Sequence, residues 1–176
     1  MKIGDAAPPF RLPGTDGKTR TLESVKGAKA TIVVFTCNHC PYAIMNEDRL
    51  IAACRDYAPK GVGMAAVNSN DAANYPEDSF AEMKKRAAAK GFPFPYLRDE
   101  SQEAARAYGA DHTPQLFVFD KELRLAYTGS VDDDSSCAKR KKAENLYLRD
   151  ALDDLIAGRP VRAPETAAIG CTIKWK

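Results

Sequence analysis

The clearest hydrophobic signal lies at residues 31–35, Thr-Ile-Val-Val-Phe, which is β-branched and apolar without interruption and predicts a strand covered on both faces. After it Pro41 suits the first turn of a helix, and Leu50, Ile51, Cys54, Tyr57 and Ala58 recur at helical spacing. Residues 62–67 read as a second buried strand that ends in the polar turn Asn68-Ser69-Asn70-Asp71. Ser79, with Glu82 three positions later, forms a capping-box signature for a helix carrying Phe80, Met83 and Ala87 on one face and stopping at Gly91. A short strand at 94–97 follows, then a short helix over 100–108 stopped by Gly109. Residues 115–119 and 123–127 make a hairpin across Asp120-Lys121-Glu122, and a last helix spans 143–157 before Gly158.

Strand, helix, strand, helix, short strand and helix, hairpin, helix is the order of an α/β fold whose sheet mixes parallel crossovers with one antiparallel hairpin. Ahead of it, residues 10–22 hold Pro13-Gly14 and Asp16-Gly17 between short apolar pieces, which predicts an added N-terminal hairpin. At the other end Ile169, Cys171, Ile173 and Trp175 alternate with polar or small residues. That period of two predicts an extended tail laid on the domain with these four side chains inward. The division expected is therefore one domain over 1–158 and a packed tail over 159–176, with no internal repeat.

A chain of 176 residues with 44% apolar content can build a core without disulfide staples. Its net charge of +2 creates no field that would draw nucleic acid or an anionic membrane, so proteins or small molecules are the expected partners. No window approaches a membrane span, and MKIGDAAPPF lacks the pattern of a signal peptide, so the expected compartment is the cytoplasm. Five cysteines (37, 40, 54, 137 and 171) are an odd number, and in a reducing compartment they point to catalysis, metal binding or burial rather than structural bridges.

The chemistry gathers at Phe35-Thr36-Cys37-Asn38-His39-Cys40-Pro41-Tyr42, where two cysteines three apart sit between a buried strand and a helix. A thiol reacts as its thiolate, and free N–H groups at a helix N-terminus lower its pKa from about 8.5. Cys37, just outside the helix, is expected to be exposed and to attack; Cys40, one turn in, is expected to be less accessible and to resolve a mixed disulfide. His39 adds a donor beside the Cys37 thiolate, which makes the pair more oxidising. A CxxC in a βαβ setting reads as a redox motif.

The chain resembles the thioredoxin superfamily, in its redoxin branch related to alkyl hydroperoxide reductase and thiol-specific antioxidant proteins, peroxiredoxin-like subgroup. The resemblance rests on Gly4-Asp5-Ala6-Ala7-Pro8-Pro9-Phe10, on the CNHC motif, on the stretch from Asn68 to Asp78, on Phe94-Pro95-Tyr96-Leu97-Arg98-Asp99, on Tyr108-Gly109-Ala110-Asp111-His112-Thr113-Pro114 and on the ending Gly170-Cys171-Thr172-Ile173-Lys174-Trp175-Lys176. It implies a thioredoxin fold, a central mixed sheet flanked by helices, with an N-terminal hairpin and an extended C-terminal tail. It also implies that Thr113-Pro114 is a cis bond lying against the cysteines, with Thr113 facing a substrate strand. Peroxiredoxins carry threonine or serine three residues before the peroxide-attacking cysteine; here that residue is Val34. The subgroup often carries cysteine where this chain has His112.

The reading that results is a thiol-disulfide oxidoreductase in which Cys37 and Cys40 react, His39, His112 and Arg98 tune them, and Thr113 and Pro114 position the partner chain. Its substrates would be protein or small-molecule disulfides, with a thiol reductant to regenerate it and no organic cofactor, since two sulfurs carry both electrons. One alternative is a peroxiredoxin-like peroxidase, in which hydroperoxide oxidises Cys37 to a sulfenic acid that Cys40 condenses with. Another is a copper or zinc module using Cys37, Cys40 and His112, because thiolate and imidazole suit both metals. Cys54 belongs to the apolar stripe of its helix, Cys137 to an acidic-then-basic loop, and Cys171 to the tail as a packed residue or a distant bridging thiol.

Overall fold

The computed structural model describes residues 1–134 and 143–176; Cys137 and the basic run after it lie outside the described residues. The elements are β1 (Arg11–Pro13), β2 (Thr19–Thr21), α1 (Leu22–Val25), β3 (Ala30–Phe35), α2 (Pro41–Tyr57), β4 (Val62–Asn68), α3 (Phe80–Lys90), β5 (Tyr96–Arg98), α4 (Glu103–Tyr108), β6 (His112–Thr113), β7 (Gln115–Asp120), β8 (Leu125–Gly129), α5 (Tyr147–Ile156) and β9 (Cys171–Thr172). Five of the strands form one sheet in the order β5-β4-β3-β7-β8, with β1 and β2 as the added hairpin and β6 with β9 as a separate two-stranded ladder. β4 runs parallel to both β3 and β5, whereas β7 is antiparallel to β3 and β8.

All six residues of β3 are buried, because it is the central strand and is covered on both faces. Ile32 and Val34 face one core layer with Leu50, Ile51 and Cys54 of α2, Met83 of α3, and Leu148 and Leu152 of α5. Val33 and Phe35 face the opposite layer with Ala105 and Tyr108 of α4, Phe10, Leu22 and the tail residue Ile173. Burying each large apolar side chain contributes roughly 1.5 to 3 kcal/mol, so the strand that carries the cysteine motif is also the most firmly fixed part of the sheet. α2 is held across its polar side as well: Glu47 takes two hydrogen bonds from Arg86 of α3, at 2.8 and 2.7 Å.

β5 is found at Tyr96–Arg98 rather than 94–97, and four other departures from the sequence expectation have a local reason. The last helix begins at Tyr147 rather than 143, because the Asp133 carboxylate accepts the backbone N–H of Glu144 and Asn145 and holds them out of the helix. α4 begins at Glu103 rather than 100: Gln102 sits at φ 63°, and its side chain is spent on the carbonyls of Ser69 and Lys174. The Asp120 carboxylate accepts from Glu122 and Arg124, which with Leu123 at φ 59° lengthens the turn and delays the second hairpin strand to Leu125. Ser79 caps α3 by accepting from Glu82 N, while the Glu82 carboxylate pairs with Lys85 instead of closing the box.

The tail does not bury its alternating stripe as expected. Ile173 is the one residue of the four in the core, Cys171 is half-buried, and Ile169 and Trp175 are exposed. Polar bonds explain this: Ile173 N donates to Asp111 O, Lys174 N to Asn70 Oδ1, Asp71 N to Lys174 O and Lys176 N to Gln102 Oε1. Trp175 lies under the Arg106 guanidinium, 4.6 Å from its ring centre.

Candidate active site

β3 ends at Phe35 and α2 begins at Pro41, so the motif fills the turn between a buried strand and a helix N-terminus. Cys40 is the N-cap of α2 and makes no side-chain cap bond. The Thr113–Pro114 peptide bond is cis, and Thr113 meets both sulfurs. Its Oγ1 lies 3.3 Å from Cys37 Sγ, and its carbonyl oxygen lies 3.2 Å from Cys40 Sγ. Both cysteines lie in one buried cluster with Ala43.

Cys37 is not exposed, contrary to the sequence expectation: it is 2% accessible and Cys40 is fully buried. Tyr42 and Cys171 pack against the pair, and β9 lies antiparallel to β6 with Cys171 opposite Thr113. Thr113 is therefore covered by the chain's own tail, on the edge where the sequence predicts a substrate strand. Gly170 permits that approach, since a Cβ there would stand 2.2 Å from Thr113 O.

The pair shares its protons unequally. The bond from Cys37 comes first in holding the Cys40 thiol well below its ordinary value, followed by bonds from the Cys171 side chain and from the Ala43 and Cys171 backbone, against the opposing effect of burial. Cys37 is raised, first as partner in that same bond, then by burial and by the Asp78 charge.

Asp78, fully buried and just ahead of α3, organises the other side of Cys37. It accepts from Asn38 N at 2.6 Å and from Asn68 Nδ2 at 3.1 Å on Oδ1, and from Asn70 Nδ2 at 2.8 Å on Oδ2. His39 Nδ1 lies 2.5 Å from Asp78 Oδ2, and the imidazole stacks on Tyr75 with ring centres 5.4 Å apart. The Tyr96 hydroxyl donates to Asn38 Oδ1 at 2.9 Å. Burial first, then the Cys37 and Asp78 charges, push its pKa well up and keep it a donor. Sequence reasoning assigned no role to Asp78, Asn38, Asn68, Asn70 or Tyr96. The available signal was topological: β4 is the parallel neighbour of β3, so the polar run after β4 emerges beside the motif after β3.

The remaining expected site residues divide. His39 is beside Cys37, since ligand atoms of Cys37, His39 and Asp78 lie within 4.8 Å of one another. Among the described residues this is the group whose donors could converge on a metal, and it includes Asp78 rather than Cys40 and His112. Both Asp78 oxygens and His39 Nδ1 are already engaged with one another and with the amides, so hydrogen bonding accounts for the cluster. His112 lies on β6 with its ring against Asp111, because neighbours on an extended segment alternate sides and Thr113 takes the sulfur side. Arg98 is buried and pairs with Glu100, with Nη1 3.5 Å from Asp78 O; it supports the carboxylate network from behind. Cys54 is core filling, its thiol raised by burial.

Among curated proteins none matches the sequence significantly. An uncharacterized conserved protein from Geobacillus kaustophilus is 46% identical, with TM-score 0.95 over 99% of this chain and 93% of that one. Two more distant structures share the fold. Peroxidoxin BcpB from Mycobacterium tuberculosis is 20% identical, with TM-score 0.67 over 90% of this chain and 99% of its own. A thiol:disulfide interchange protein of the thioredoxin family from Chlorobium tepidum TLS is 18% identical, with TM-score 0.66 over 89% and 99%. The model of the AhpC/TSA family matches residues 3–128, most of the sheet and the whole cysteine motif, and the chain therefore belongs to the AhpC/TSA family of redoxins.

Proposed function

We propose that this redoxin is a thiol-disulfide oxidoreductase working through Cys37 and Cys40. The observation that carries the reading is the contact of both sulfurs with the two oxygens of Thr113 at the head of α2. A proton passes from Cys37 to Cys40, its neighbour in the buried cluster, and the Cys37 thiolate attacks the substrate disulfide, forming a mixed disulfide and releasing one thiolate that takes up the Cys40 proton. Cys40 then attacks Cys37 sulfur, which closes the Cys37–Cys40 disulfide and releases the second substrate thiolate. Two electrons leave the protein and reduce one disulfide, so no organic cofactor is required.

His39 acts here as a positioning residue, held by Asp78 and Tyr75 beside Cys37. Two features weigh against hydroperoxide as the substrate: Val34 is an apolar core residue, and the Arg98 guanidinium is taken up by Glu100. We propose the domain as 1–158 with 159–176 as its tail, acting on protein or small-molecule disulfides in the cytoplasm. Among the described residues no helix is long and apolar enough to cross a membrane.

The test is stopped-flow mixing of reduced protein with bis(2-hydroxyethyl) disulfide. Wild type should release two equivalents of mercaptoethanol, Cys40→Ser one equivalent with the adduct on Cys37, and Cys37→Ser none above the rate of a free thiol. Exchange by wild type no faster than by a free thiol would overturn the reading. Rapid hydrogen peroxide consumption without disulfide exchange would favour the peroxidase instead.

A further inference from the structure

Both sulfurs of the CxxC pair are buried, so a thiol nearer the surface would ease the return of electrons to an oxidised pair. The third sulfur of the cluster is the half-buried Cys171. It sits on β9 directly opposite Thr113, whose carbonyl oxygen touches Cys40 Sγ, and it packs against the buried cluster that holds Cys40. Its backbone is fixed on both sides: Thr113 Oγ1 lies 3.4 Å from Cys171 O, and Ile173 is a buried plug two residues on. Gly170 presses against Thr113 O so closely that no other residue fits without displacing the tail. The tail thus presents a thiol to the buried pair on the strand edge that a substrate segment would use.

We propose that Cys171 is a third exchange thiol, which takes over the disulfide from Cys37 by attacking Cys40 and presents it at the surface for reduction. The step rests on the oxidoreductase reading, which supplies the Cys37–Cys40 disulfide. The Cys171 thiolate attacks Cys40 sulfur, a Cys40–Cys171 bond forms, the Cys37–Cys40 bond breaks, and the leaving Cys37 thiolate takes up the proton that Cys171 lost. No net electrons are exchanged, so no further oxidant is needed. The product bond includes one half-buried residue, Cys171, where both residues of the original are buried, which brings the disulfide nearer to an external thiol. Fixing the thiol on a paired strand raises its effective concentration at Cys40 far above that of a free thiol.

The test is acid-quenched peptide mapping after oxidation by one equivalent of oxidised glutathione. Wild type should yield both Cys37–Cys40 and Cys40–Cys171 linked peptides, and Cys37→Ser should yield Cys40–Cys171 as its main disulfide. Cys171→Ser should lose that link, and its oxidised form should be re-reduced by glutathione at least tenfold more slowly than wild type. A Cys37→Ser protein that ends with glutathione on Cys40 and Cys171 still alkylable would overturn the proposal, as would wild type with Cys37–Cys40 alone and unchanged re-reduction in Cys171→Ser. Absence of both the Cys37–Cys40 and the Cys40–Cys171 links in wild type would instead remove the oxidoreductase reading beneath it.

Discussion

Replacing Asp78 by asparagine probes the electrostatics of the site most directly. The carboxylate lies within 4.8 Å of Cys37 Sγ and its charge disfavours a second negative charge there. The size of that effect follows from Coulomb's law at 4.8 Å: about 0.9 kcal/mol with the dielectric constant of water and about 3.5 kcal/mol at an effective value near 20. Removing the charge should therefore lower the Cys37 pKa by about 0.6 to 2.5. The measurement belongs in a Cys40→Ser background, where the bond that dominates the Cys37 shift is gone and Asp78, burial and Thr113 remain. Thiolate absorbance at 240 nm followed against pH requires no reagent to reach the buried sulfur. The Asp78→Asn change also turns an amide towards groups that donated to the carboxylate, so a stability loss of about 1 to 3 kcal/mol in urea unfolding should accompany the shift. A thiolate midpoint that stays in place, or rises, in a variant that still unfolds cooperatively would refute the assignment of Asp78 as the charge that raises Cys37.

Further predictions concern the tail, the helix clasp and pH. Gly170→Ala should detach β9, and alkylation of Cys37 and Cys40 by iodoacetamide should speed up at least tenfold; unchanged rates with the tail still protected from proteolysis would contradict the packing. Arg86→Ala leaves the buried Glu47 carboxylate without its two bonds and should cost about 1 to 3 kcal/mol in urea unfolding, the lower end reflecting the partial exposure of Arg86. The Cys40 thiol is depressed in the folded state, so between its folded value and the unfolded value of 9.0 the unfolded chain binds the extra proton. Stability of the reduced protein should accordingly rise from about pH 6 to pH 8, by up to about 1.4 kcal/mol per pH unit, and be lost as pH falls through the folded value. Cys40→Ser should flatten that rise in urea titrations.

What the sequence reveals here depends on how local the cause is. β3, α2 and β4 are legible because burial on both faces leaves an uninterrupted apolar run and a 3.6-residue stripe leaves its own mark. The place of Cys37 and Cys40 follows from those elements. Asp78 is another matter, since its partner Asn38 N lies 40 residues away and only the parallel pairing of β3 with β4 brings the two together. The tail misleads because its alternation is genuine, yet its register is set by Asn70, Gln102 and Asp111 rather than by apolar burial. Cys37 and Thr113 look like accessible groups for the same reason: nothing near them in the chain announces that residues 170–172 will cover them.

Thr113 touches one cysteine through its hydroxyl, a second through its carbonyl oxygen and a third through the strand pairing of its backbone. Two of those three contacts do not depend on which side chain occupies the position. Mutation at residue 113 removes the hydroxyl that meets Cys37 Sγ and Cys171 O, while the carbonyl contact to Cys40 and the strand pairing with Cys171 stay on a backbone that no single side-chain exchange rewrites. The arrangement leaves Cys40 tied to the backbone alone, so variation in reactivity among related chains that differ at residue 113 should fall on the other two cysteines.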